Sequence, residues 1–125
     1  MQLFPKLLLL SLAALALVAQ TPPVANQVLA TLSVRDGVAR EDITKTMPAE
    51  VRATVQLYLD GKIQQWYARA DGKGVVFILN CRSVEEAKSI TDTLPLIQGK
   101  LASFEFMALG PLTPLRYLMT PQASK

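Results

Sequence analysis

Hydrophobic positions along the chain change their period several times, and each change predicts an element. From Leu7 to Ala19 the run LLLLSLAALALVA is almost unbroken. It follows Lys6 and ends at Gln20, Thr21, Pro22 and Pro23, the layout of a secretory signal peptide with cleavage after Ala19 and Ala25 as the fallback site. A bilayer-spanning helix needs about 20 apolar residues, more than this run supplies, so cleavage is favoured over a stable membrane anchor. The reading assigns residues 1–19 to the signal, 20–25 to a linker, 26–112 to one folded domain and 113–125 to a C-terminal tail.

Beyond Asn26, Val28, Ala30, Leu32 and Val34 alternate with Leu29, Thr31 and Ser33, a period of two that predicts a strand. Pro48 suits the first turn of a helix and Glu50 its positive end. Val51, Val55, Tyr58 and Leu59 then recur at helical spacing until Gly61, predicting a helix over Pro48–Asp60, with a further turn from Glu41 left open. KIQQWYAR (Lys62–Arg69) and VVFILNC (from Val75) read as two strands joined by the turn Asp71-Gly72-Lys73-Gly74. The uniformly apolar Val75–Leu79 segment predicts an interior strand covered on both faces.

Ser83 and Glu86 form a capping box, and Val84, Ala87, Thr91 and Leu94 predict a second helix ending before Pro95. LASFEFMAL (Leu101–Leu109) alternates once more and closes at Gly110-Pro111. The order βαββαβ defines an α+β, ferredoxin-like fold: a four-stranded antiparallel sheet with two helices on one face. Its other face, with Leu29, Thr31, Trp66 or Tyr67, and Phe104 or Phe106, then needs a cover, and a second copy packed sheet to sheet would enclose a cavity.

Composition narrows the partners. The 13 basic and 10 acidic residues are dispersed, and Lys6 leaves with the signal, so no concentrated basic face for nucleic acid is expected. With one cysteine, Cys81, the domain depends on its core or a partner rather than on internal disulfides. Cys81 reads as a small buried hydrophobe, with an intermolecular disulfide as the alternative in an oxidising compartment. The chain has no histidine, the acidic residues lack ligand spacing, and no glycine loop cradles phosphate; no metal and no cofactor are expected.

Three pieces carry a family resemblance: LYLDGKIQQWYARADGKG, SVEEAKSITDTLPL and FEFMALGPL. Through them the stretch Glu50–Leu112 resembles the muconolactone isomerase-like branch of the dimeric α+β barrel proteins, which includes YciI-like domains. The resemblance implies a homodimer or higher homo-oligomer and a pocket for a small molecule. In family members with known activity, polar cavity groups shift a proton to move a double bond within a small lactone. It also implies a carboxylate near Glu50 and a histidine just after the position matching Gln64. Gln65 stands at that second position here, so the resemblance does not carry the chemistry over.

Proton abstraction beside a carbonyl needs a base with a pKa near the working pH and a donor for the oxyanion. Glu50 is the first candidate base, against its plainer reading as a first-turn residue favoured by the helix dipole. Glu105 is the second: facing a cavity it would titrate high, facing solvent it would not. Tyr58, Gln65, Trp66, Tyr67, Phe104 and Phe106 are the candidate pocket lining. Arg69 and Arg82 read as solvated strand-end charges, with carboxylate binding as the alternative. Two functions stay open: an exported, dimeric isomerase-like domain binding a small, largely apolar molecule between its sheets, or a non-enzymatic module using the same sheet face to associate. The expected location is the periplasm or the exterior.

Overall fold

Strand β1 (Gln27–Val34) sorts its side chains as the alternation requires: Val28, Ala30 and Leu32 are buried, and the residues between them are half-covered. The computed structural model describes residues 25–119. The segments read as a signal and, but for Ala25, as a linker, together with residues 120–125, lie outside the described residues.

Helix α1 (Arg40–Leu59) is longer than Pro48–Asp60 and takes in the N-terminal extension from Glu41 that the sequence left open. Glu41 and Asp42 occupy its first turn, so Pro48 lies inside the helix and Glu50 sits well beyond its start. A proline there removes one helical N–H bond. Pro48 and Thr44, whose carbonyl loses that partner, are both exposed, so solvent replaces the bond. The inner stripe of α1 is also rotated from the expected one. Glu50 is buried and Ala53 and Leu57 pack against the core, whereas Val51, Val55, Tyr58 and Leu59 are exposed.

Strands β2 (Ile63–Ala68) and β3 (Gly74–Leu79) form the expected hairpin. Gly74 is required at its second bend. Its φ is 154°, and an added Cβ would lie 2.0 Å from the carbonyl oxygen of Leu32 on β1. Helix α2 (Val84–Thr91) has Ser83 as its N-cap: the Ser83 Oγ accepts the Glu86 N–H at 3.1 Å. The Glu86 carboxylate reaches back to the Arg82 N–H at 3.1 Å, one residue earlier than a regular capping box. A short helix not expected from the sequence, α3 (Pro95–Gln98), precedes β4 (Ala102–Leu109). A 3₁₀ turn at Thr113–Leu115 and helix α4 (Arg116–Met119) follow.

The sheet order is β2-β3-β1-β4, with every neighbouring pair antiparallel. This is the ferredoxin-like arrangement, with β3 and β1 at the centre. Register assigns each face. Phe106 and Phe104 stand opposite Ala30 and Leu32, and Trp66 opposite Phe77, so all three turn to the helix side. The open face instead carries Leu29, Thr31 and Ser33, Val76 and Ile78, Gln65 and Tyr67, and Glu105 and Met107. Of the aromatic positions expected there, Tyr67 alone is present. Val76 and Ile78 are half-covered, so β3 is interior to the sheet but packed by helices on one side only.

Candidate functional site

Helix α1 does not close fully onto the hairpin side of the sheet. Between them a cavity of about 500 Å³ opens, large enough for a small organic molecule. Its helix wall comes from Ile43, Met47, Glu50, Val51, Thr54 and Val55; its sheet wall includes Leu32, Trp66, Val75 and Phe77. Four large apolar side chains that contribute to these walls keep substantial exposure: Met47 39%, Val51 52%, Val55 38% and Trp66 41%. The misplaced stripe of α1 is thereby explained. Val51 and Val55 do not reach the sheet; they face a space beside it.

Glu50 is the one charged residue in the described wall, and it is only 5% exposed. Its Oε2 accepts the Leu96 N–H at 2.9 Å, tying α1 to the start of α3. Burial raises the carboxyl above the usual carboxylate range, and the Leu96 N–H offsets part of that rise. A carboxyl so placed can hold or release a proton in a medium with little water.

The sequence-expected site residues divide among several places. Glu50 and Trp66 line the cavity, and Tyr67 adds to its wall from the hairpin side. Tyr58 stands behind Trp66, ring centroids 5.2 Å apart and tilted by 45°, and holds the indole against α1. Gln65 and Glu105 belong to the open face, where Glu105 is exposed opposite Thr31. Phe104 and Phe106 stack on each other, centroids 5.8 Å apart, and Phe104 meets Phe77 at 5.7 Å. Both are away from the main cavity. They border a smaller one of about 190 Å³ on the α2 side, with Arg35 and Lys88.

Ile43, Met47, Thr54 and Leu96 are wall residues that the sequence reading missed. Ile43, Met47, Glu50 and Thr54 recur at spacings of three and four, a signal available once α1 is extended back to Arg40.

Around this site the charges are quiet. Arg69 donates to Ser33 Oγ at 2.6 Å and pairs with Asp71 at 2.5 Å, on the open side of the hairpin. The Asp71 carboxyl is held below its ordinary value, first by the Lys73 N–H and then by Arg69. Cys81 is 3% exposed; burial, then the nearby Glu86 charge, raise its thiol, so it is a poor nucleophile. Among the described residues, no group of His, Cys, Asp and Glu is arranged to hold a metal ion, and no helix is long and apolar enough to cross a membrane.

Sheet order and helix placement define a ferredoxin-like α+β domain. Among solved structures, the chain is similar to 5-chloro-2-hydroxyhydroquinone dehydrochlorinase (TftG) from Burkholderia phenoliruptrix AC1100, a complex with 2,5-dihydroxybenzoquinone. The TM-score is 0.55 at 17% identity, over 66% of this chain and 92% of that one. The likeness is one of fold. No protein-family model and no curated protein sequence matches the chain.

Proposed function

We propose that this protein is an exported, homodimeric, muconolactone isomerase-like domain that binds a small ring-bearing molecule in the cavity between α1 and the sheet. One observation carries the reading: Met47, Val51, Val55 and Trp66, all substantially exposed, converge on one cavity whose wall holds a single buried carboxylate. Exposed apolar walls around one polar group are the ordinary composition of a ligand site. The ring enters the proposal from the dehydrochlorinase of the same fold, which holds 2,5-dihydroxybenzoquinone. Glu50 is the group that exchanges a proton with the ligand, in the manner of an isomerase base. This placement shifts the binding site from the space between two sheets to the helix side of one.

A second reading rests on a different observation. The open face exposes Tyr67 at 56% and Met107 at 61%, beside Leu29, Val76 and Ile78. A face of this kind fits self-association through the sheets, with or without chemistry under α1.

Native mass spectrometry of the full chain made in an exporting host tests both readings together. The first expects a dimer whose chains begin near Gln20 and carry an added small mass. A bare dimer would leave only the second reading, and a stable monomer would overturn the dimer in both. An intact N-terminus would overturn cleavage of the signal.

A further inference from the structure

We infer that the cavity under α1 selects ligands whose polar end is a hydrogen-bond donor, a hydroxyl or an ammonium, and rejects carboxylates. The inference rests on the cavity being the binding site and adds the chemistry of its ligand.

Three arrangements carry it. First, Glu50 is the only charged side chain in the described wall, and neither lysine nor arginine is present there to pair with an anion. Second, the cations bonded within this sheet and its smaller cavity do not reach the wall, and Lys73, between the wall residues Gly72 and Gly74, is exposed and adds no side chain to it. Arg69 is held on the open side of the hairpin by Ser33 and Asp71. Arg35 and Lys88 border the separate cavity beside Phe104 and Phe106, where Lys88 also pairs with Asp92 at 2.8 Å. Third, the Leu96 N–H is already used by Glu50 Oε2. A ligand carboxylate would therefore face a carboxyl group across an apolar space, without a cation to replace its lost water.

A donor meets the opposite situation. A carboxylate has two oxygens and about four acceptor positions, of which Leu96 takes one. The remaining capacity suits an O–H or N–H, and a charged partner makes such a bond stronger than a neutral one. Trp66 and Phe77 supply aromatic surface to the same space, favourable to the apolar body and to an ammonium head alike. Burial disfavours the ionised form of Glu50, and a ligand cation or donor in the cavity would stabilise that form and bring the carboxyl back down.

The test uses three molecules with one skeleton: benzyl alcohol, benzylammonium and benzoate. Trp66 is the only tryptophan in the chain and lines the cavity, so its emission reports occupancy. With the full chain at neutral pH, the alcohol or the ammonium ion is expected to bind at least about tenfold more tightly than benzoate, a tenfold ratio being about 1.4 kcal/mol. In Glu50→Gln, which keeps an acceptor for Leu96, the preference for the ammonium ion should collapse. Benzoate binding as tightly as both others would overturn the inference while leaving the site in place. A preference unchanged in Glu50→Gln would do the same. If none of the three alters Trp66 emission up to millimolar concentration, the cavity itself is not the binding site.

Discussion

At the scale of single residues, Glu50 has two roles that separate on substitution. As an acceptor it satisfies the Leu96 N–H, which would otherwise be buried without a partner. Glu50→Ala should cost about 1–3 kcal/mol, measured by chemical denaturation, because a buried donor left unpaired loses its full solvation. As a titrating group, Glu50 works against stability at neutral pH. Its folded pKa is raised, so the folded state holds the proton more tightly than the unfolded chain does. The contribution is fully favourable below the ordinary value of 4.5 and is lost as pH rises through the raised value. Glu50→Gln does not titrate, so the melting temperature of the variant relative to the parent should climb as pH rises above the ordinary value of 4.5. A flat or falling difference would contradict the assigned environment. Glu50 was legible in the sequence as a candidate base through the family resemblance, and its plainer reading took it for a first-turn residue. The expected first-turn position does not exist, and the residue matters because it lies on the inner stripe of a longer helix.

Among the elements, the hairpin and the α2 cap give the firmest expectations. Gly74→Ala places a Cβ against the Leu32 carbonyl and forces an unfavourable φ, so the β1–β3 ladder must part locally. A loss of several degrees in melting temperature is expected, from a cost of at least about 1–3 kcal/mol. Ser83→Ala should lose about 1 kcal/mol with the N-cap bond to Glu86, and Ser83→Asp should restore most of it. All four strands were readable, β1 and β4 by their period of two, β2 and β3 by the turn between them and the unbroken apolar run of β3. Strand faces were less so. Adjacent aromatic residues, Trp66 beside Tyr67, and Phe104 and Phe106 flanking Glu105, cannot be assigned a side until register is known. The bulge between Ile63 and Gln65 shifts the alternation of β2 as well. Helix α1 was the least legible element. Pro48 invites a helix start, and the apolar residues Val51, Val55 and Tyr58 suggest a core stripe, yet they border a cavity or solvent. Helix α3 is a single turn, too short to leave a periodic signal.

For the molecule as a whole, the two faces of the sheet divide the work. The helix side holds the core and the cavity; the open side holds Leu29, Val76, Ile78 and Met107, which a second copy would cover. Met107→Arg puts a charge on the β4 edge of that surface, opposite Leu29, without touching the core. If the open faces pair, sedimentation should show the variant as a monomer with parental far-UV dichroism. A variant dimer as tight as the parent would place the contact elsewhere. On the helix side, ligand binding under α1 is read by residue-resolved NMR of the full chain titrated with benzyl alcohol. The N–H groups of Ile43, Met47, Glu50, Val51, Thr54 and Val55 and the Trp66 indole N–H should move together, with Leu29, Thr31, Val76 and Ile78 unchanged. Movement confined to the open face would contradict binding under α1.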